Sequence, residues 1–169
     1  MHSQSLKNGT LAPGWRTDEV EVLKVALMKF GIGRWKKIMN SECLPGKTPS
    51  QLSSQTQRLL GQQSLAEYMH LHLDIDKVAK YNHQKTDVKR KSNCIVNTGK
   101  NMSSEELAVL REYNKEKFGI SPEFIQNTQI PQISVLSMIL SMQGTSLSKL
   151  RQLSELKEKL IKKHKSSED

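Results

Sequence analysis

The chain has 169 residues, of which 36% are hydrophobic and 5% aromatic, so small cores are expected rather than one large globule. The net charge of +9 and the pI of about 9.6 favour polyanionic partners such as nucleic acid, and no apolar run approaches the roughly 20 residues that span a bilayer. Cys43 and Cys94 form no paired pattern, so a disulfide framework is not expected.

The charge is distributed unevenly along the chain. Residues 77–100 carry seven basic side chains and one acidic, and residues 14–62 carry eight and four. Residues 63–76 carry three acidic side chains and no basic one. A surface for nucleic acid is therefore expected in the first hundred residues.

The first predicted helix follows a polar lead over residues 1–13. Thr17 suits the N-cap, and two acidic residues follow it where the helix dipole favours negative charge. Gly31 and Gly33 are expected to end the helix. Apolar residues three or four positions apart form its inward face: Val20, Leu23, Leu27 and Phe30.

A short second helix is predicted to turn Trp35, Ile38 and Met39 inward, and a turn follows at residues 44–46. Together with the helices on either side, it is expected to build a small core around two tryptophans. The predicted core residues are Trp15, Leu23, Leu27, Phe30, Trp35, Ile38, Leu52 and Leu59.

The third helix has a clear beginning and end. Thr48 suits the N-cap, Pro49 the first helical position and Gln51 the third position of a capping box, and Gly61 ends the helix. Thr56 and Leu60 are expected to join the core. The outward face is predicted to consist of Ser50, Gln51, Ser53, Ser54, Gln57 and Arg58.

Beyond this unit, Ser64 and Glu67 form a second capping box, which predicts a helix through the HLHLDID stretch at residues 70–76. On a helix the histidines and aspartates of that stretch would point in different directions, so no metal site is expected. Residues 82–100 are basic and rich in turn formers, which is typical of a surface segment.

A third capping box at Ser103 and Glu106 predicts a helix that ends at Gly119, and Ser121 begins a short one after it. The inward stripe of the longer helix contains Leu107, Leu110 and either Tyr113 or Asn114.

Two apolar segments follow. Residues 133–142 are predicted to form a packed helix that is too short to span a membrane. The last helix carries a leucine stripe that either folds back on residues 133–142 or binds a partner. Its members are Leu150, Leu153, Leu156 and Leu160.

Two tryptophans, the Gly-x-Gly-x-Trp of residues 31–35 and the Pro-capped third helix together resemble the Myb/SANT family over about residues 13–61. The resemblance implies three helices packed around regularly spaced aromatics, with the last two forming a helix-turn-helix variant. Thr56 stands where the third aromatic residue usually lies, so a smaller core is expected there. Some SANT domains bind histone tails or other proteins instead of DNA, so both functions stay open.

The resemblance implies a set of DNA contacts. Lys47 stands at the basic position before the third helix, whereas Ser50 stands where DNA-reading repeats often carry a base-contacting lysine. Hydroxyl and amide groups discriminate bases less than a bidentate Arg on guanine does, so phosphate contacts with little sequence specificity are expected, the alternative being a merely solvated polar face. A basic run at residues 89–91 adds either phosphate contacts or part of a nuclear localisation signal. The predicted DNA-contacting residues are Arg34, Lys36, Lys37, Lys47, Ser50, Gln51, Ser54, Gln57, Arg58, Lys89, Arg90 and Lys91.

A more specific resemblance extends over about residues 12–121. The stretches GWRTDEVEVLK, FGIGRWKKIM, CLPGK, LLGQQSLAEYM and KRKSNCIVNTG resemble the Myb-like accessory subunits of ciliate DNA N6-adenine methyltransferase complexes. The resemblance implies a subunit that helps a separate catalytic pair to engage DNA. The methyl donor, S-adenosylmethionine, would belong to that pair, so no cofactor is expected on this chain.

The sequence therefore predicts an all-α, nuclear and non-enzymatic protein with no membrane segment. A lead over residues 1–13 precedes a Myb/SANT-like unit at 14–62, a helical and then basic extension at 63–100 and C-terminal helices at 101–169. The expected partners are double-stranded DNA and the protein subunits of a nuclear complex. A SANT-type protein-interaction scaffold and a stand-alone transcription factor are the alternatives.

Overall fold

The computed structural model describes residues 11–98 and 101–133, together with Ser154 and Lys157. Within these residues the chain is mostly helical, with one 3-10 turn and one two-stranded sheet, so the all-α prediction is confirmed. The described residues up to Ile133 belong to one unit. Its helices are α1 (Thr17–Phe30), α2 (Trp35–Asn40), α3 (Pro49–Leu60), α4 (Ile75–Gln84), α5 (Ser104–Phe118) and α6 (Pro122–Asn127).

The first three helices enclose an apolar core. Phe30 and Trp35 are partly buried and pack against its edge. Met39 was predicted to face inward but is 42% exposed. Ile38 lies on the inward side of α2, and Met39, about 100° further round the helix, lies on the solvent side. The predicted core residues that lie fully inside are Trp15, Leu23, Leu27, Ile38, Leu52 and Leu59.

The beginning of α1 differs from the prediction. Thr17 is the first helical residue, and Arg16 holds the N-cap position in an extended conformation. The Glu19 carboxylate accepts a hydrogen bond from the Arg16 backbone N–H at 2.9 Å, so an acidic side chain from inside the helix satisfies this backbone group. Leu11 and Ala12, in the predicted flexible lead, pack against the core.

The ends of α3 and α5 confirm the capping predictions. Thr48 and Gln51 form a capping box with Pro49 at the first helical position, and Gly61 ends α3 in the left-handed region. Ser103 caps α5 in the same way. These motifs involve only residues within one turn of each other, which is why the sequence predicts them well.

The Gly-Ile-Gly turn after α1 also contacts the chain that follows the Myb/SANT-like unit. Gly31 and Gly33 have φ angles of 90° and 84°, a region that favours glycine. Ile32 donates a backbone hydrogen bond to the Leu71 carbonyl at 3.0 Å and accepts one from the His70 N–H at 2.8 Å. A Cβ atom at Gly31 would lie 3.2 Å from the His70 carbonyl oxygen. The turn therefore ends α1 and also packs closely against residues 70 and 71 of the extension.

The prediction of a helix that begins at Ser64 and runs through the HLHLDID stretch is wrong. The helical part is a single 3-10 turn over Ala66–Tyr68, and α4 begins only after Asp74, which caps it. Residues 70–73 run between Ile32 on one side and Gly119 on the other and make backbone hydrogen bonds or a bridge to each. These tertiary backbone bonds replace the helical ones that the local pattern predicts.

The basic segment predicted as turns contains a β-hairpin. Strands β1 (Arg90–Lys91) and β2 (Cys94–Ile95) pair antiparallel. Ser92 and Asn93 join them with φ angles of 50° and 65°, the backbone pattern of a two-residue type I′ turn. A Ser-Asn pair is a weaker signal for this turn than Asn-Gly, so the hairpin could not be predicted from the turn residues.

The C-terminal helix α5 lies over the 3-10 turn and the end of α4. Asn114 and Phe118 are buried, whereas Tyr113 is 44% exposed, so Asn114 is the inward residue of the predicted pair of alternatives. The rings of Phe118 and Tyr81 lie 5.3 Å apart. The apolar segment predicted as a helix at residues 133–142 lies outside the described residues except for Ile133, and so does the leucine stripe of Leu150, Leu153, Leu156 and Leu160. No helix in the described ranges is long and apolar enough to cross a bilayer.

Asn82→Ala should lower the free energy of unfolding by about 2 kcal/mol, since a buried carbonyl and a buried hydroxyl lose their partner. The Asn82 amide donates to the Leu60 carbonyl at 2.9 Å and to the Tyr68 hydroxyl at 3.0 Å. Urea denaturation measures the change. The exposed neighbour His83 provides the control, because His83→Ala should stay within about 0.5 kcal/mol of the wild type. Equal stabilities of the two variants would contradict the structural role of Asn82.

Candidate nucleic-acid interface

Helices α2 and α3, joined by the turn over residues 41–48, form the helix-turn-helix part of the structure. In α3, Leu52, Gln55 and Thr56 are buried, and the Thr56 hydroxyl donates to the Leu52 carbonyl at 2.7 Å. The Gln55 side chain accepts a hydrogen bond from the Ala12 N–H at 2.9 Å. These inward contacts fix which side of α3 faces solvent.

The outward side of α3 is polar, and the helix contains no acidic residue. Ser50, Gln51 and Ser54 are exposed, while Ser53, Gln57 and Arg58 are half-buried. The side-chain oxygen of Gln51 accepts a hydrogen bond from the Thr48 backbone N–H at 2.9 Å. The side-chain NH2 of Gln57 donates to the Gln63 backbone carbonyl at 2.6 Å. Gln51 and Gln57, both predicted to contact DNA, therefore form hydrogen bonds at the beginning and at the end of α3.

Three cationic side chains stand at the beginning of α2. Arg34 occupies the N-cap position, Lys36 and Lys37 lie in the first turn, and all three are exposed. In the described part of the chain, none of the three forms an ion pair with an acidic side chain. Their charge is thus available to an external anion.

Lys47, another predicted phosphate contact, lies in a different environment. Its side chain is 9% exposed, and its ammonium group lies 2.9 Å from the Glu19 carboxylate, whose side chain is 3% exposed. The ammonium also donates to the Gly14 carbonyl at 2.7 Å and stands 4.5 Å from the centre of the Trp15 ring. Lys47 is therefore held by an internal carboxylate, unlike the exposed cations of α2, and its role as a phosphate contact stays a prediction.

Sequence reasoning missed Glu19 as the partner. Its position in the first turn of α1 suggested only an interaction with the helix dipole. The carboxylate in fact accepts the Arg16 N–H and the Lys47 ammonium together, which links the beginning of α1 to the residue before α3. Glu19 and Lys47 are far apart in the chain, so only the three-dimensional structure reveals their contact.

The basic run at residues 89–91 is divided between two roles. Lys89 and Lys91 are exposed. The Arg90 guanidinium instead donates to the backbone carbonyls of Asn82 at 2.5 Å and Lys85 at 3.1 Å. Arg90 therefore satisfies carbonyl groups at the end of α4 and holds the hairpin against that helix.

His70 lies close to two arginines at the edge of this surface. Partial burial and the positive charges of Arg34 and Arg111 lower the pKa of His70 below its usual value. The imidazole is therefore predominantly neutral near pH 7, and the cationic surface there consists of guanidinium and ammonium groups. A phosphate bound near Arg34 would raise the pKa of His70 again.

Metal ligands and free thiols are the other groups to consider among the residues that the structure describes. These residues contain no group of three or more His, Cys, Asp or Glu side chains that could hold a metal ion. Cys43 and Cys94 are both buried free thiols, and burial raises the pKa of the Cys94 thiol.

Comparison with known proteins identifies the unit that carries this surface. Residues 13–60 match the family model of the Myb-like DNA-binding domain. That range begins before α1 and ends with α3, so it spans the three helices described above. No curated protein and no solved structure matches the chain.

Lys47→Met should lower the free energy of unfolding by about 3 kcal/mol, since the substitution leaves a buried carboxylate without its cation. Urea denaturation followed by tryptophan fluorescence measures this, because Trp15 adjoins the pair. Adding Glu19→Gln to this variant should restore part of the stability. Lys36→Met, the same change at an exposed site, is the control and should stay within about 0.5 kcal/mol of the wild type. A stable Lys47→Met variant would contradict the structural role of the pair.

Proposed function

We propose that this chain is a non-catalytic, nuclear DNA-binding subunit that docks a chromatin-acting complex on duplex DNA, mainly through phosphate contacts. The observation that carries the proposal is the cationic surface beside the helix-turn-helix. Arg34, Lys36 and Lys37 are exposed and make no ion pair among the described residues, and the neighbouring helix α3 contains no acidic residue. The exposed cations of α2 attract a polyanion, and α3 carries no carboxylate that would repel it.

The side chains of α3 favour docking over sequence reading. A bidentate Arg or Lys on guanine gives strong discrimination, but the exposed positions here carry Ser50, Gln51 and Ser54. The Gln51 and Gln57 amides are in addition engaged in hydrogen bonds at the ends of α3. Binding should therefore depend on the charge and shape of the duplex more than on its sequence.

The proposed complex is a DNA N6-adenine methyltransferase. This part of the proposal rests on the resemblance of LLGQQSLAEYM and KRKSNCIVNTG to the accessory subunits of such complexes. In this chain the first stretch covers the end of α3 and the 3-10 turn, and the second covers the hairpin. A catalytic pair that binds S-adenosylmethionine would be the partner, and pull-down from native nuclei with mass spectrometry identifies it. Recovery of other complexes only, with no methyltransferase subunit, would reject this assignment.

A second candidate function is a SANT-type scaffold that binds proteins, with DNA contact incidental. The outward side of α5 favours it, because Val109 is 70% exposed and Tyr113, one turn later, is 44% exposed. Exposed carboxylates flank Val109 at Glu105 and Glu112. Such a mixed apolar and acidic face suits a protein partner better than a phosphate backbone.

Charge reversal of Arg34, Lys36 and Lys37 separates the two functions. Loss of DNA binding with intact assembly of the complex supports docking on DNA. Loss of assembly with unchanged DNA binding supports the scaffold. A stand-alone transcription factor, the third alternative, predicts a sharp sequence motif in a random-site selection, and docking predicts none.

Replacing Arg34, Lys36 and Lys37 together by Ala should weaken binding to duplex DNA similarly across sequences. The slope of log K against log salt should become shallower by about 2.7, because each of the three lost phosphate contacts removes about 0.9. Gel-shift titrations from low to physiological salt measure both quantities. Lys80→Ala, which removes an exposed charge from α4, serves as the control and should keep the wild-type slope. Salt-independent binding by the wild type, or none at low salt, would contradict docking through phosphates.

A further inference from the structure

We infer that the β-hairpin β1–β2 acts as a wing beside α3 and contacts the DNA backbone through Lys89 and Lys91. The inference rests on the proposed DNA-docking function and assigns a second contacting element to it. A helix-turn-helix and a rigid hairpin at the end of its outer helix would cover a longer stretch of duplex than α3 alone. Helix α3 is about 18 Å long, which corresponds to roughly five base pairs.

The hairpin is fixed to the C-terminal end of α3 by backbone hydrogen bonds. The Ile95 N–H donates to the Gly61 carbonyl at 2.8 Å, and the Gln63 N–H donates to the Ile95 carbonyl at 3.0 Å. The buried Cys94 thiol donates to the Gln57 carbonyl at 3.6 Å. These bonds continue directly from the last turn of the helix, so the hairpin keeps a constant position relative to the outward side of α3.

Exposure alternates along residues 89–91, so the side chain that anchors the hairpin lies between two exposed lysines. Arg90 points toward α4 and binds its terminal carbonyl groups, as described above. Lys89 and Lys91, on either side of it, are exposed and form no ion pair with the described acidic residues. Lys89 and Lys91 are thus the exposed cations of this segment, and Arg90 between them is half-buried.

The hairpin tip is small and polar. Ser92 and Asn93 are exposed, and their left-handed conformations make the turn as short as a hairpin allows. No acidic residue occurs from Val88 to Thr98. The tip could therefore approach a phosphate backbone without steric or electrostatic conflict.

The charge of the hairpin continues that of α3. The positive charges of Arg58 and Arg90 both act on the Cys94 thiol and oppose the effect of its burial on the pKa. Arg58 lies in the last turn of α3, between Gln57 and Gly61, whose carbonyl groups accept from the Cys94 thiol and the Ile95 N–H of the hairpin. A row of positive charges along a rigid surface fits the regular phosphates of duplex DNA.

The test compares two double variants of the full chain. Lys89→Ala with Lys91→Ala removes the proposed wing contacts, and Lys77→Ala with Lys80→Ala removes two exposed charges from α4 as the control. The wing variant should make the slope of log K against log salt shallower by about 1.8, whereas the control should keep the wild-type slope. Urea denaturation verifies that both variants are folded.

Hydroxyl-radical footprinting locates the contact. The wing variant should lose protection at one edge of the footprint only, while the central protection from α3 remains. A wild-type slope and footprint for the wing variant, or equal losses in both double variants, would overturn the inference while leaving DNA docking intact. Absence of salt-dependent binding by the wild-type chain would instead reject the proposed function itself.

Discussion

The C-terminal end of α3 is the constraint on which the rest of this structure depends. The last carbonyl groups of a helix have no partner within it and must find one elsewhere. Here Leu60 is satisfied by the Asn82 amide and Gly61 by the Ile95 N–H, both of which lie well beyond the three-helix unit. The unit and its extension therefore form a single body, and the hairpin takes its position from the helix that it completes.

A second consequence concerns the charge of the molecule. Net charge describes the whole chain, but only cations without an internal partner can bind an external anion. The pairing of Lys47 with Glu19 and the use of Arg90 to hold α4 commit two cations to the fold. Exposed cations without an ion pair to a described acidic side chain include Arg34, Lys36 and Lys37 at the beginning of α2 and Lys89 and Lys91 on the hairpin.

Local sequence predicted much of the fold. The caps of α3 and α5 and the period of α1 involve residues within a turn or two of each other, so a short window contains all the interactions that decide them. The same reasoning failed at Met39, where a six-residue helix is too short to reveal its inward side. It also failed over residues 70–73, where backbone bonds to Ile32 and a bridge to Gly119 outweigh a helical pattern.

Composition, periodicity and capping are properties of neighbouring residues, so the helical class, the three-helix unit and the basic segments could be predicted from the sequence. Which basic side chains face solvent depends on tertiary contacts. Lys47 and Lys36 are indistinguishable as lysines next to a helix start, yet one is held by a buried carboxylate and the other is exposed. The difference arises from a contact between residues distant in the chain, and no local pattern encodes such a contact.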